Sequence, residues 1–306
     1  MNKILISVVG PTAIGKTKLA IVLAKYYDTE IISADSRQFY KEMDIGTAVP
    51  SADELKAAKH HFIQHKSIME PYTVGDFERE AIAKLDTLFK SNEIVIMVGG
   101  SGLYVNAVTN GLDYFPEIKQ GVREKLNKIY SEEGIQILQN QLKVLDPVHF
   151  NMIDIQNPHR LIRALEVCIS SGKPYSSFLR QPKTSRNFKV ITIGITAERE
   201  HIYNNINTRV DIMMQNGLLE EVQKLQEHQE LNALQTVGYK ELFEYLKGKW
   251  DLDISISEIK KNTRRFAKRQ LTWFKKNKET MWINANYALE DITDKINKLI
   301  KFNINE

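Results

Sequence analysis

Cysteine is nearly absent from this chain of 306 residues, in which Cys168 stands alone. A lone cysteine excludes a disulfide framework and a thiolate metal cluster, because each of these needs several thiols. Cys168 lies in an apolar helical pattern, where we expect a small buried hydrophobe and not a nucleophile. The absence of a disulfide framework fits a reducing cytoplasm.

Long apolar runs are also missing, so we expect no membrane-spanning helix and no membrane partner. The short apolar run near the start of the chain ends at a glycine-containing loop, and no small-residue cleavage site follows it. It therefore predicts a first β-strand and not a signal peptide.

Acidic residues are missing from residues 260–278, which contain nine lysines and arginines. The whole chain has 42 basic and 38 acidic residues, so the remainder carries a net negative charge. Positive charge concentrated in one segment is typical of a polyanion-binding surface. A solvated surface helix, the usual meaning of a charge run, is the alternative.

A helical wheel at about 100° per residue divides residues 263–276 into a basic arc and a largely apolar arc. The basic arc comprises Arg264, Arg265, Lys268, Arg269, Thr272, Lys275 and Lys276, and the arc expected to pack comprises Thr263, Phe266, Ala267, Gln270, Trp273 and Phe274. A membrane-surface helix would remove this apolar arc from the rest of the fold. We therefore favour a nucleic-acid backbone or a pyrophosphate as the partner.

Four apolar, β-branched runs predict buried parallel strands at residues 3–10, 30–35, 93–100 and 189–196. Helical patterns at 16–27 and 74–90 alternate with the first three strands. This alternation predicts an α/β fold with a doubly wound parallel sheet.

The fourth predicted strand begins late, and the residues before it have mostly helical patterns. We expect a catalytic core of residues 1–112 and 188–306, with a mostly helical insertion domain at 113–187. The end of the insertion, residues 172–187, is polar and contains proline, which predicts a mobile loop. After the fourth strand, the pattern is helical to about residue 278.

The stretch GPTAIGKT fits the P-loop pattern in full and lies between a strand and a helix. Backbone N–H groups of such a loop bind phosphate oxygens, and Lys16 would neutralise their charge. The Thr17 hydroxyl would bind Mg²⁺. The loop comprises Gly10, Pro11, Thr12, Ala13, Ile14, Gly15, Lys16 and Thr17. On this pattern alone, the core is a P-loop NTPase-like parallel sheet that binds a nucleotide such as ATP.

P-loop ATPases and GTPases usually have a second acid after an apolar strand, but here the third strand ends in glycines. Asp35 follows the second strand, and Ser101 follows the third. Because the carboxyl ends of parallel strands meet at one edge, these residues and the P-loop predict a pocket with a phosphate on one side and an acceptor on the other. Asp35 is either a cap or a base that takes a proton from the acceptor.

Arg160 and Arg163 lie one helical turn apart, and the pattern favours two roles equally. Either they bind a phosphate group together, or they pair with Glu166. His60 and His61 are adjacent and share no face of a helix or strand, so we predict no metal site there.

Eight motifs occur in the order found in the tRNA dimethylallyltransferases, and from residue 10 to 274 the chain resembles this family. They are GPTAIGKT, ISADSRQFY, KHHFI, GGSGLY, NPHRLIRALEV, GLLEEV, VGYKE and TRRFAKRQLTWF. The resemblance implies transfer of a dimethylallyl group from dimethylallyl diphosphate to N6 of the adenosine 3′ of the anticodon in tRNA, with release of pyrophosphate. The adenosine would be flipped out of its stack, because N6 is otherwise enclosed.

The resemblance also implies roles for individual residues. Asp35 would be the general base at N6, Arg209 would bind the diphosphate, and Ser101 would contact both substrates. Lys16 and Mg²⁺ would stabilise the charge that grows on the leaving group. The tRNA-binding residues that it implies are Asp35, Ser36, Arg37, Gln38, Ser101, Arg123, His159, Arg160, Leu161, Ile162, Arg163, Gln235, Thr236, Val237, Gly238, Tyr239 and Lys240, to which the basic helix adds Arg265 and Lys268. Ile14, Arg37 and Gln64 depart from the family pattern without removing a catalytic group.

Three other functions are less consistent with the sequence. A small-molecule kinase shares the P-loop, the strand-end aspartate and the glycine pair, but it gives the basic helix no role. A non-enzymatic RNA-binding protein would not need Lys16, Thr17 and Asp35 intact. An adenylate prenyltransferase would not need a basic surface large enough for tRNA. We expect a monomer, since tRNA itself can bridge the core and the insertion.

Overall fold

The computed structural model describes residues 3–179 and 185–305. These residues form two compact units, one drawn from Met1–Asn110 and Arg186–Glu306 and the other from Gly111–Ser185. The predicted loop at 172–187 contains a short 3₁₀ turn, Tyr175–Phe178, and residues 180–184 of it lie outside the described residues. Across the described ranges, no helix is both long enough and apolar enough to cross a bilayer.

A six-stranded sheet with the order β3-β2-β4-β1-β5-β6 forms the centre of the first unit, and all its strand pairs are parallel. The strands are β1 (Ile4–Val9), β2 (Ile31–Ser33), β3 (His60–His61), β4 (Ile94–Gly99), β5 (Lys189–Thr196) and β6 (Met281–Asn284). All six residues of the central strand β1 are buried. This burial on both faces explains why the run of β1 is continuously apolar and not alternating.

The predicted parallel α/β sheet is confirmed, and its four predicted strands correspond to β1, β2, β4 and β5. Strands β3 and β6 were not predicted from the sequence. Each pairs with a neighbour on one side alone, and with two and four residues they are too short to show a periodic pattern.

Helices of the first unit cover both faces of the sheet. They are α1 (Lys16–Tyr26), α2 (Ala52–Ala57), α3 (Val74–Leu88), α4 (Gly102–Asn110), α9 (Arg199–Gln215), α10 (Leu218–Lys224), α11 (Tyr239–Leu246), α12 (Leu252–Phe274) and α13 (Leu289–Asn305). Leu5 belongs to one buried cluster, whereas its neighbours Ile4 and Ile6 belong to another. Successive strand residues point to opposite faces, so the two clusters are the two sides of a doubly wound core.

The second unit is helical. It contains α5 (Val122–Glu133), α6 (Ile135–Leu145), α7 (Pro147–Phe150) and α8 (Pro158–Ser171). Asn157 caps α8 by accepting a hydrogen bond from the Arg160 N–H, and Gly172 ends the helix in the left-handed conformation. The apolar face of α8, including Leu161, Leu165 and Cys168, is buried in this unit's own core.

Candidate active site

The P-loop occupies the turn between β1 and α1. Pro11, Ala13 and Ile14 are buried, so these side chains are largely covered by the rest of the fold. Lys16 begins α1, and its Nζ donates a hydrogen bond to the Pro11 carbonyl oxygen at 2.7 Å. Burial lowers the pKa of Lys16 to about 8, against the opposing attraction of Asp35. An anion bound in the loop would therefore favour the charged form of the lysine.

Asp35 follows β2 and caps a turn, because its Oδ1 accepts the Arg37 N–H at 3.2 Å. Burial raises the pKa of the Asp35 carboxyl, while Lys16, the Arg37 N–H and the more distant Arg209 act in the opposite direction. The cap occupies one oxygen of the carboxyl, and Asp35 also lines both cavities described below. The structure thus gives Asp35 the capping role and leaves room for the base role.

Ser101, which follows β4, fixes the turn after Asp35. Its Oγ accepts the Ser36 N–H at 3.0 Å and lies 3.1 Å from the Ser36 Oγ. The glycine pair before it permits close approach, since a Cβ on Gly99 would lie 2.3 Å from the Ala34 carbonyl oxygen. The strand ends after β2 and β4 are therefore packed backbone to backbone at this edge.

Gln270 connects three parts of the site. From α12, its Oε1 accepts the Thr12 N–H of the P-loop at 2.8 Å, and its Nε2 donates to the Gly100 carbonyl oxygen at 2.9 Å. The helical wheel assigns Gln270 correctly to the packed arc, and it is buried. Its bridging role was missed, because nothing in the sequence pairs it with partners so far away along the chain.

Two cavities meet at this edge of the sheet. The loop cavity, of about 490 Å³, is lined by the P-loop with Lys16 and Thr17. The helix cavity, of about 890 Å³, runs along α12 and is lined by residues that include Ser36 and Ser101. The residues that line both are Thr12, Asp35, Thr47, Ala48, Arg209 and Met213. The cavities therefore adjoin at the predicted base and at the predicted diphosphate-binding arginine.

Arg209 reaches this junction from α9. It is half-buried, and burial lowers its pKa against the attraction of Asp35 and Glu54. Lys16, Asp35 and Arg209 are distant in sequence, yet their charges interact. The fold thus brings these three predicted residues together.

Helix α12 has three faces where the sequence predicts two. Ala267 and Phe274 are buried, and Arg265 and Lys268 are exposed, in agreement with the prediction. Phe266 and Trp273, assigned to the packed arc, are 38% and 37% exposed and line the helix cavity instead.

Two arginines of the predicted basic face of α12 are engaged with neighbouring side chains. Arg264 donates to the Asn207 Oδ1 at 2.8 Å and lies over the Tyr203 ring. Arg269 lies over the Phe266 ring and lines the helix cavity. The open basic surface is therefore narrower than the wheel suggests, because a helix at a cavity rim is contacted on more than one side.

Several predicted tRNA-binding side chains are committed to internal contacts. Arg37 donates to the carbonyl oxygens of Asn232 and Ala233. Gln38 donates to the carbonyl oxygens of Thr47 and Ala48, which precede α2 in the chain. Such contacts to main-chain carbonyls hold the site together and leave these side chains less free for a ligand.

Within the predicted segment 235–240, exposure varies from residue to residue. Tyr239 is fully buried, and its hydroxyl donates to the Glu221 Oε1 at 2.6 Å, so we correct its assignment from ligand contact to structural support. Burial and the Glu221 carboxylate raise the pKa of Tyr239 well above its ordinary value. Gly238 is also buried, whereas Gln235 and Lys240 are exposed and Thr236 and Val237 are half-buried.

In the second unit, the buried Glu166 carboxylate pairs with two arginines, one of which belongs to the pair with two predicted roles. Arg123 binds it with two hydrogen bonds of 2.6 and 2.7 Å, and Arg163 lies 3.7 Å from it and over the Phe115 ring. Arg163 is therefore part of an ion pair, and Arg160 is exposed beside it.

The stretch 159–163 of this unit also requires a correction. Leu161 and Ile162 are buried in the unit's core, so they cannot present side chains to a ligand in this conformation. His159 and Arg160 are exposed at the start of α8.

The donor groups at the loop cavity fit a hydrated Mg²⁺ shared with a diphosphate. This ion takes few protein ligands, keeps several waters and shares phosphate oxygens. The Thr17 hydroxyl and the Asp35 carboxylate line the same cavity. Among the described residues, no three His, Cys, Asp or Glu side chains cluster as a protein cage would require.

Comparisons with known proteins agree on one family. A family model described as IPP transferase matches residues 38–277. The tRNA dimethylallyltransferase of Christiangramia forsetii is 59% identical over 300 residues, which cover 98% of this chain and 99% of that protein. That of Flavobacterium johnsoniae is 56% identical over 308 residues, which cover 99% and 100%.

Solved structures extend the similarity to the fold. A full-length tRNA isopentenylpyrophosphate transferase from Bacillus halodurans is 35% identical with a TM-score of 0.72, and the match covers 98% of this chain and 96% of that one. A eukaryotic dimethylallyltransferase, described as acting on tRNA, is 26% identical with a TM-score of 0.80, covering 93% and 74%. From its sequence and its fold alike, this chain belongs to the IPP transferase family, the family of the tRNA dimethylallyltransferases.

Proposed function

We propose that this chain transfers a dimethylallyl group from dimethylallyl diphosphate to N6 of the adenosine immediately 3′ of the anticodon in tRNA. The observation that carries the proposal is the position of Asp35 and Arg209 at the junction of the two cavities. A donor in one cavity and an acceptor in the other would meet beside a carboxylate and a guanidinium.

The loop cavity suits the diphosphate. N–H groups of the P-loop other than that of Thr12, together with those at the α1 N-terminus, would bind its oxygens. Lys16 and Arg209 would stabilise the charge that develops as the C–O bond breaks. Mg²⁺, held by the Thr17 hydroxyl and the diphosphate, would supply further neutralisation of the leaving group when bound.

The helix cavity suits the acceptor. Its volume of about 890 Å³ is ample for a flipped adenosine, and Phe266 and Trp273 offer aromatic surfaces to a base. N6 would form a bond to C1 of the dimethylallyl group while the C1–O bond breaks and its electron pair leaves with the diphosphate. Asp35 would accept the proton that N6 loses.

Exposed residues around the helix cavity and on α12 would bind the tRNA. In the first unit, Arg265, Lys268, Gln235 and Lys240 are exposed, and Ser36, Arg37, Thr236 and Val237 line the helix cavity. In the second unit, His159 and Arg160 are exposed. We propose a monomer that acts in the cytoplasm, where unmodified tRNA would be its substrate.

A small-molecule kinase is not favoured, because it would not use the helix cavity or the basic face of α12. Incubation with labelled dimethylallyl diphosphate, Mg²⁺ and unmodified tRNA, followed by nucleoside analysis, tests the proposal. We expect label in N6-(dimethylallyl)adenosine. ATP-dependent phosphorylation of a small molecule without any prenyl transfer would instead support the kinase.

A further inference from the structure

One segment contributes two of the six residues that line both cavities, and the reaction proposed above gives these two residues no role. We name residues 44–50 the wall loop. Thr47 and Ala48 of the wall loop line both cavities. The wall loop also brings Ile45, Val49 and Pro50 to the loop cavity, beside its polar residue Asp44, and Ile212 and Met213 of α9 add further apolar surface. The loop cavity thus has an apolar part in addition to the polar part at Lys16 and Thr17.

A carboxylate from α10 holds the start of the wall loop. The Glu221 Oε2 accepts the N–H groups of Asp44 and Ile45 at 3.0 and 2.7 Å, and its Oε1 accepts the Gly46 N–H at 3.0 Å. The Tyr239 hydroxyl donates the fourth bond, at 2.6 Å. Charge-assisted hydrogen bonds of this kind are about twice as strong as neutral ones, so this part of the loop is firmly fixed.

The Tyr239 ring also packs closely against the backbone of the wall loop at Gly46. A Cβ on Gly46 would lie 2.6 Å from a ring carbon of this fully buried side chain, so glycine is required there. At the other end of the loop, Gln38 donates to the carbonyl oxygens of Thr47 and Ala48 at 3.2 and 2.9 Å. Both ends of the central part of the loop are therefore held by side chains from elsewhere in the fold.

We infer that the wall loop limits the length of the prenyl chain that the enzyme accepts, and that Glu221 and Tyr239 are positioning residues that hold it in place. The inference rests on the proposed function. The apolar part of the loop cavity would take the five-carbon chain of the donor while the polar part takes the diphosphate. A ten-carbon chain would have to displace the wall loop, against the three hydrogen bonds that its N–H groups donate to Glu221.

The test is a competition between two donors, dimethylallyl diphosphate and geranyl diphosphate, with unmodified tRNA as acceptor. The quantity measured is the ratio of kcat/KM for the two donors. This ratio does not change when a variant merely contains less folded enzyme, because both rates fall together. We expect Glu221→Gln to lower the preference for the shorter donor about tenfold, since the amide offers N–H groups where the wall loop needs acceptors.

Two further variants strengthen the test. Tyr239→Phe removes one of the four bonds and keeps the ring contact, so we expect a smaller fall in the ratio. Ile45→Ala widens the apolar part directly and leaves the bonds to Glu221 in place, so we expect a fall of similar size to Glu221→Gln. Ile45→Ala also tests the inference if the Glu221→Gln variant fails to fold.

Glu42→Gln is the matched control. The Glu42 carboxylate also accepts a backbone N–H and a hydroxyl, from Ile68 and Ser67, but it lines neither cavity. We expect its ratio to equal that of the unmodified enzyme. If the unmodified enzyme transfers no dimethylallyl group, the proposed function is wrong. If it does, and the ratio is unchanged in both Glu221→Gln and Ile45→Ala, the inference about the wall loop is overturned.

Discussion

Asp35 has a local task and a proposed chemical one. Its Oδ1 holds the Arg37 N–H, which shapes the turn, while burial raises the pKa of its carboxyl above the usual range of aspartate. A carboxylate with a raised pKa is a stronger base at neutral pH than an exposed one. The same burial that costs the fold some stability therefore makes Asp35 more suitable for taking a proton from an amine.

Replacing Asp35 with asparagine should separate these two tasks. The amide oxygen can still accept the Arg37 N–H, but the side chain can no longer take a proton. We expect kcat to fall about 10²- to 10⁴-fold, with tRNA affinity nearly unchanged, as measured by single-turnover transfer and by filter binding. Asp211→Asn, which alters an aspartate paired with Lys260 away from both cavities, is the control. Near-normal turnover of Asp35→Asn would show that Asp35 is not the base.

The pKa of Lys16 leads to a prediction about pH. Because burial lowers this pKa to about 8, raising the pH through that value removes a positive charge from the loop cavity. We expect kcat/KM for dimethylallyl diphosphate to decline on the alkaline side at about this pH, since kcat/KM reports groups of the free enzyme. Because burial raises the pKa of Asp35, we expect kcat/KM to fall on the acidic side at a pH above the usual pKa of aspartate.

The variant Lys16→Arg provides the check on this assignment. Arginine keeps its charge at all accessible pH values, so the alkaline decline should disappear even if the activity itself is lower. An unchanged alkaline limb in Lys16→Arg would assign the decline to another group.

At the residue scale, the sequence predicted which residues lie together at the sheet edge. It did not predict which of their side chains form hydrogen bonds within the protein. The P-loop, Asp35 and Ser101 could be assigned to one edge, because parallel strands place their carboxyl ends together. The internal bonds of Arg37, Gln38 and Tyr239 could not, because their partners are carbonyl and carboxylate oxygens distant in the chain. A motif indicates which side chains a site needs, and it does not separate those that touch a ligand from those that support the site.

Among the elements, α12 combines the most functions. One face packs on the core, another lines the helix cavity, and a third exposes Arg265 and Lys268. The sequence predicted its amphipathic character, since periodicity reports polarity around the axis. It did not predict the cavity face, because an aromatic residue that lines a cavity has the same polarity as one in a core.

The exposed basic face of α12 should govern tRNA affinity through charge. We expect Arg265→Ala combined with Lys268→Ala to weaken tRNA binding and to reduce the slope of log K against log salt by about 1 to 2, as loss of two phosphate contacts would. The measurement is a binding titration at several salt concentrations. Lys295→Ala with Lys298→Ala on α13 removes the same charge from exposed positions and should leave the slope close to that of the unmodified protein. An equal effect of both pairs would indicate net charge and not a defined surface.

Gln270 should affect the donor site from its place on α12. Gln270→Leu leaves the Thr12 N–H and the Gly100 carbonyl without partners, and each buried unpaired group costs about 1–3 kcal/mol. We expect a lower free energy of unfolding in urea and a higher KM for dimethylallyl diphosphate. Gln270→Glu keeps the acceptor for Thr12 and should recover part of the KM. If KM stays unchanged in Gln270→Leu, the link to the P-loop has no role in donor binding.

On the scale of the whole molecule, the first unit is built from two stretches of the chain, because the sequence of the second unit lies between them. The chain leaves it after Asn110 and returns at Arg186. The Arg186 guanidinium donates to the carbonyl oxygens of Ala107 and Val108, and it pairs with Glu78. The point where the chain returns to the first unit is thus bonded to the point where it leaves this unit. Sequence predicted that an insertion exists, since helical patterns separate two strands, but not this bond.

Oligomeric state gives a prediction at the same scale. Both cavities are lined by residues of the first unit of one chain, so a second copy is not needed to complete them. We expect a mass close to the sequence mass of 35.3 kDa in sedimentation equilibrium, and one chain per tRNA in the complex. A stable dimer whose dissociation on dilution abolishes transfer would contradict this expectation.

The bond between Gln270 and the P-loop has a consequence for synthesis on the ribosome. The P-loop emerges early, but its partner lies 258 residues later, and β5, the second neighbour of β1, is also made late. At ordinary translation rates this separation corresponds to on the order of tens of seconds. During that time the nascent chain exposes one edge of β1 and an incomplete loop, so truncated products should be targets for chaperones and proteases and not partially active enzymes.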